Sequence, residues 1–330
     1  MIRTTGISGG RPWLGAFTMG AMLAIGTHGV YAQQDYPSQP IALVVPWGAG
    51  GSGDITGRTF ARYLEKQTKA TVVVENKAGA NGIIGTQAVK SAKPDGDTLM
   101  ITSNMTHAAN ATLYKALPYD PIKDFEHIGL FGVFGLAALV TPGSPFKTIP
   151  ELVAYAKANP SKVSIGYSNT STQIAAELLK ANGGIPMEIV SYKAIGNAFT
   201  DLLGGHIQLL FADYVAASSH VASGRLVPIA VTAAERYARW PNVPTIAEFY
   251  PGYQVISSLG LAAPAGTPKS VVNKLNTILT GALADPEFKG QLEKLGYSMH
   301  PYTVDESRAF LVGERERWAK YIKAARIEPQ

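Results

Sequence analysis

The chain has 330 residues, no cysteine and a formal net charge of +5 at pH 7. The missing thiols exclude disulfides, thiolate metal centres, a cysteine nucleophile and a lipid-modified N-terminal cysteine. The surplus of Lys and Arg is scattered beside Asp and Glu rather than gathered in a block, which argues against nucleic acid as a partner.

At the start, Arg3 and Arg11 precede an apolar, small-residue run from Pro12 to Ile25, followed by Val30-Tyr31-Ala32. This pattern predicts a secretory signal peptide over residues 1–32, cleaved after Ala32. The run is shorter than the ~20 apolar residues of a membrane-spanning helix. The expected location is therefore the periplasm, without a lipid anchor. The remaining chain still exceeds the usual size of a single core, so two lobes are expected.

Ile41–Val45 is a continuous β-branched run that leads into a glycine-rich turn and then a helical pattern over Ile55–Lys69. Strand patterns at Thr71–Glu75 and Leu99–Thr102 enclose a helix near Ile83–Ser91. After an apolar strand at His127–Val140, the pattern Thr148-Ile149-Pro150-Glu151 predicts a capping box. Further strands at Val163–Tyr167, Glu188–Ser191, Ile207–Ala212 and Leu226–Thr232 alternate with helices near Thr172–Asn182, Asn197–Leu203 and Val215–Ser223. An apolar stretch, Tyr253–Ala263, precedes helices at Lys269–Leu283 and Pro286–Leu295 and a last amphipathic helix after the capping box Thr303–Glu306. These C-terminal helices are expected to return to the first lobe. The alternation implies an α/β fold with parallel βα units.

Gly48-Ala49-Gly50-Gly51-Ser52-Gly53 satisfies G-x-G-x-x-G between a strand and a helix, with Glu75 ending the next strand. It imitates a dinucleotide fingerprint. Glycines let a backbone approach an anion while amides at the helix start point at it, so any carboxylate could use the same turn. Pro46-Trp47, placed between the strand and the first glycine, would crowd a nucleotide turn. Three readings stand: an anion cradle, a structural turn, or the site of a dinucleotide-dependent oxidoreductase. Asp54 is expected to serve the helix start.

Gly166-Tyr167-Ser168-Asn169-Thr170 is one glycine short of a nucleophile elbow, with Asp213 and His300 following in hydrolase order. A catalytic Ser168 in an exported hydrolase is one reading. Polar ligand contacts from Ser168, Asn169, Thr170, Ser171 and Thr172, or ordinary helix capping, are the others. Tyr192-Lys193-Ala194-Ile195-Gly196-Asn197 and Ala212-Asp213-Tyr214 also stand at strand ends, where open α/β sheets bind ligands. His107 is expected either to border a cleft or to cap a helix. The histidines lack metal-ligand spacing, and no metal or cofactor is expected.

Taken together, these residues resemble the Bug, or TctC-like, family, the binding proteins of tripartite tricarboxylate transporters. The resemblance is carried by Val44-Val45-Pro46 with Ala49-Gly50-Gly51 and Asp54, and by Val72 to Asn76 followed by Gly79-Ala80. It continues through Pro94-Asp95-Gly96, Leu117 to Pro121, Asp201 to Gly205, and Leu261 to Pro268. It implies a type II periplasmic binding protein of Venus-flytrap form, with a mixed, largely parallel sheet in each lobe. Lobe 1 would hold residues 33–138 plus 255–330 and lobe 2 residues 139–254.

The resemblance further implies no catalysis, and capture of a small carboxylate for delivery to a membrane permease by a monomer. Ligand contacts carried over are Gly48, Ala49, Gly50, Gly51 and Ser103 from one lobe. The facing lobe would give Ser168 to Thr172, Lys193, Ile195, Gly196, Asn197 and Asp213. Trp47 and Tyr214, with Tyr167 and Tyr192 nearby, favour an aromatic mono- or dicarboxylate over a citrate-like or amino-acid ligand.

Overall fold

A computed structural model of the chain describes Gly10 and residues 36–330 apart from Arg326. The expected export segment, Gly10 aside, lies outside the described residues. The run Ile41–Val45 forms β1, and the glycine-rich turn hands the chain to α1 (Ser52–Thr68), whose inner face buries Phe60, Ala61 and Leu64. There follow β2 (Val72–Asn76), a 3-10 turn at Ala80–Gly82, α2 (Ile83–Lys90) and β3 (Thr98–Ser103). A π-helical turn, Met105–Ala109, runs into α3 (Asn110–Leu113) and on to the long β4 (Phe125–Val140).

The next block contains α4 (Ile149–Ala158), β5 (Ser164–Tyr167), α5 (Thr170–Gly183), β6 (Glu188–Ser191), α6 (Ile195–Leu203), β7 (Leu209–Asp213), α7 (Tyr214–Ala222) and β8 (Val227–Val231). Then β9 (Ile256–Pro264) leads to α8 (Lys269–Ala284), α9 (Pro286–Lys294) and α10 (Val304–Ala324). Among the described residues, no helix is long and apolar enough to cross a membrane.

The strands form a nine-stranded sheet in the order β2-β1-β3-β9-β4-β7-β5-β6, with β8 also on β4. Parallel pairing is confined to its two flanks, β2-β1-β3 and β7-β5-β6. The strands between them, β4 and β9, run antiparallel to their neighbours. β4 pairs with β9 over Phe125–Gly135 and, from Leu136 onward, with β7 and β8. Its register with β9 shifts between His127 and Gly129 and between Leu130 and Gly132. Such irregularities bend a strand, and one strand thereby serves both halves of a two-lobed α/β fold.

Each half has its own core. Ile41, Leu43, Phe60, Leu64, Ile101, Leu275 and Phe288 pack between the first flank and α1, α8 and α9. The second flank is covered on one side by Phe146, Ile165, Ile174, Leu179 and Phe211, and on the other by Phe199, Leu202, Leu210 and Val231. The last helix does more than return to the first half. Trp318 and Ile322 of α10 join the cluster of Phe146, Ile174 and Phe211 together with Ala108 and Ala109, so α10 spans the two halves.

The capping boxes were half legible. At Thr303 the full reciprocal box forms with Glu306. At Thr148 the hydroxyl accepts the Glu151 amide at 3.3 Å, but the Glu151 carboxylate reaches one residue further back, to the Lys147 amide at 2.7 Å.

Candidate functional site

Strands β1, β5, β6 and β7 all end where a helix begins, which gathers the N-termini of α1, α5, α6 and α7 at strand ends. Only α5 is capped by its own side chain. Gly51, Ala194 and Asp213, the N-cap residues of α1, α6 and α7, make no side-chain capping bond. Helix N-termini left in this way carry free amides and partial positive charge, the physical basis of an anion site.

The first loop is built for close approach. Gly48, Ala49, Gly50 and Gly51 are exposed, and a Cβ on Gly48 or Gly50 would meet nothing within 4 Å. Gly50 has φ +83, the left-handed region that favours glycine. One amide is not free, however. Gly50 donates to the Asp54 Oδ2 at 2.9 Å, and Asp54 is further held by Arg58 and by the Asn76 Nδ2 at 3.0 Å. Burial pushes the Asp54 carboxyl up, but Arg58, the Gly50 amide and Asn76 together leave it below the ordinary range. Asp54 is 4% exposed and serves as the tether of the loop.

Trp47 is half-buried, and its ring covers the first turn of α1: a Cβ on Gly53 would sit 2.9 Å from the indole Cε3. Ser103 is buried, and its Oγ accepts the Met105 amide at 3.1 Å, so it caps the π-helical turn. In the facing half, Ser168 and Asn169 are half-buried, while Thr170, Ser171 and Thr172 are buried. Asn169 and Thr172 form a capping box, and the Thr172 Oγ1 also accepts the Ser168 amide at 3.1 Å. Thr172 therefore shapes this loop from inside and presents no group to solvent.

Lys193, Gly196 and Asn197 are exposed at the start of α6, and Ile195 leans on the adjacent core. Tyr192 is engaged elsewhere: its hydroxyl donates to Asp201 at 2.7 Å, and burial followed by that bond pushes its pKa up to about 12. Tyr214 is 2% exposed and stacks on Tyr237 with centroids 4.1 Å apart, so it is a wall residue. Asp213 is half-buried, and burial raises its pKa to about 6.

Asn104 is a polar residue the sequence did not single out. Its Nδ2 donates to the Ser171 Oγ at 3.3 Å and its Oδ1 accepts the Ser258 amide at 3.1 Å, which ties the end of β3, the start of α5 and the crossing strand β9 together. Ser257 joins through its own bond to Ser171 at 3.3 Å. The available signal was the polar pair Ser257-Ser258 inside an otherwise apolar strand. Thr56 and Tyr297, whose hydroxyls share a hydrogen bond of 2.9 Å, were likewise missed. Burial raises the Tyr297 phenol, the Thr56 bond opposes that shift, and the Asp213 carboxylate adds to it.

The enzyme patterns do not assemble. His300 is exposed and lies edge-on to Tyr302 with centroids 5.0 Å apart, and no hydrogen bond among the described residues links it to Ser168 or Asp213. Glu75, which would face a ribose in a dinucleotide fold, pairs instead with Lys77 at 2.7 Å. His107 neither borders the cleft nor caps a helix. It is fully buried beside Phe125 and His127, because the π-helical turn directs that ring into the core.

Residues 56–327 match the family model described as tripartite tricarboxylate transporter family receptor. Protein BugT of Bordetella pertussis (strain Tohama I) is 31% identical over 292 residues, covering 87% of this chain and 90% of that protein. Among solved structures, an R. palustris protein with adipate superposes with a TM-score of 0.83 at 29% identity, over 90% of this chain and 100% of that one. MatC from Rhodopseudomonas palustris with bound malate gives a TM-score of 0.77 at 27% identity, over 87% of this chain and 100% of that one.

Proposed function

Because the chain belongs to the tripartite tricarboxylate transporter receptor family, whose members are periplasmic solute-binding proteins and not enzymes, we propose that it captures a small carboxylate between its two lobes and delivers it to a membrane permease. The observation that carries this reading is the open Gly48–Gly51 loop leading into the uncapped N-terminus of α1. Amides of that turn would hold the carboxylate from one lobe, and the starts of α6 and α7, with Ser168 and Asn169, would face it from the other. The adipate and malate in the two related structures are of the same chemical class.

The aromatic preference expected from sequence now rests chiefly on Trp47. Tyr192 is bonded to Asp201 and Tyr214 is stacked on Tyr237. The ligand class proposed for the cradle is therefore a small mono- or dicarboxylate, aliphatic or aromatic. Lobe 1 is taken as residues 33–138 plus 255–330 and lobe 2 as 139–254, with β4 and β9 as the crossing strands. Export with cleavage after Ala32 and action as a monomer complete the reading.

The test is a panel of malate, adipate, benzoate and amino acids, measured by calorimetry and thermal shift on the purified protein. A true ligand at ~100 times its dissociation constant adds about 2.7 kcal/mol to native-state stability. Gly48→Val should abolish that response while leaving the fold unchanged, since the position has open space and no left-handed φ. Silence across the carboxylates, or an undiminished response in Gly48→Val, would overturn the assignment.

A further inference from the structure

Along β9, alternate residues face opposite sides of the sheet. Ser257 faces Ser171, whereas Ile256 lines a cavity of about 800 Å³. This volume lies within the ~300–1,000 Å³ of typical small-molecule sites. The cavity is bounded by Tyr214, Tyr237 and Arg239 from one half, and by Phe134 of β4, Gly290 and Tyr297 from the other. Of the residues assigned to the carboxylate cradle, it shares Tyr214 alone.

Its walls are aromatic and fixed. Tyr214 and Tyr237 stack with an interplanar angle of 13°, and Phe134 lies against Tyr297 with centroids 4.8 Å apart. Gly135 and Gly296 leave room for the Tyr214 ring, since a Cβ on either would come within 2.3 Å and 2.8 Å of it. The Tyr214 hydroxyl, aimed at Gly135 in the wall, is buried without a hydrogen-bond partner.

The lining carries Glu235, Arg236, Arg239, Glu293 and Lys294, and its cations are not equally available. Arg236 is held by both oxygens of Glu248, at 2.9 Å and 2.7 Å. Arg239 lies beside the Tyr237 hydroxyl and donates to the Lys294 carbonyl at 3.2 Å, and among the described residues it has no carboxylate within salt-bridge distance. Glu293, also at the rim, has Lys289 at 3.8 Å. Arg239 is thus a positioned cation next to a stacked pair of rings.

We propose that this cavity is a second ligand site that takes a flat aromatic anion, its ring among Phe134, Tyr214 and Tyr237 and its charge on Arg239. The assignment does not depend on the carboxylate cradle.

The probe is 2-naphthoate, titrated calorimetrically into the full chain. Wild type should bind one equivalent in this cavity, and Gly290→Trp should weaken that binding by about tenfold or more by filling it. A Cβ at Gly290 meets nothing within 4 Å, so that variant is expected to fold, with circular dichroism and the urea midpoint as the check. Tyr237→Leu is the second arm should it not fold. Arg239→Gln should cost about tenfold as well, and Gly48→Val, which closes the cradle, should leave the equivalent bound in this cavity in place. Absent binding to wild type, or equal affinity in the Gly290, Tyr237 and Arg239 variants, would overturn the second site. So would loss in Gly48→Val, which would put the ring in the cradle.

Discussion

The Asp54 Oδ2 accepts the Gly50 amide at 2.9 Å, so the carboxylate at the first turn of α1 holds the loop that precedes it. Asp54→Ala would release Gly50, Arg58 and Asn76 at once. Expected is a loss of about 1–3 kcal/mol in stability by urea unfolding. Carboxylate affinity should fall with it, because a free loop must be ordered on binding. An unchanged urea midpoint would show that the loop needs no tether.

Asp213 stands in the opposite half with its pKa pushed up to about 6 by burial. Its ionised form would oppose a ligand carboxylate, so affinity for adipate should rise as pH falls through about 6, by roughly threefold to tenfold. Asp213→Asn should bind at pH 7.5 as wild type does at pH 5.5. The same shift affects folding: a raised carboxyl contributes stability that is present below its unfolded pKa near 4 and lost as pH rises through about 6. A flat affinity profile in wild type would remove Asp213 from the ligand's surroundings.

His127 behaves in the opposite sense. Burial above all, with Arg308 adding to it and the Pro121 carbonyl opposing, lowers its pKa to about 4, and burial likewise lowers that of His107 beside it. The folded state keeps these rings neutral while the unfolded chain binds protons below about 6.5, so stability is lost as pH falls from there toward about 4. Between pH 7 and 5 His127 alone should account for about 1–2 kcal/mol. Urea midpoints in an Asp213→Asn background keep the two opposed contributions apart, and His127→Phe should flatten the slope. An identical slope in His127→Phe would refute this account.

Trp318 is 1% exposed in the cluster it shares with Phe146, Ile174 and Phe211, and its Nε1 donates to Glu314 at 3.2 Å. Trp318→Ala should therefore destabilise by about 3–5 kcal/mol. Truncation of the exposed Val312 on the same helix should cost less than about 0.5 kcal/mol. Comparable urea midpoints for the two variants would mean that α10 does not anchor the second half.

Local pattern determined much of this protein. Period and β-branching marked β1, β4 and β9; Thr303-Val304-Asp305-Glu306 announced the start of α10; and the order of short motifs pointed to the receptor family. Those signals lie within a few residues of one another, where backbone propensity and capping act. Only the tertiary structure decided which groups face which. It paired Asp54 with Gly50, and it placed Asn104 between Ser171 and Ser258. It directed His107 inward, and it stacked Tyr214 on Tyr237. Each of these depends on how the shared strand β4 bends and which side of the sheet a residue falls on. A period of two fixes that alternation along a strand, but only packing between distant elements fixes what lies on either side.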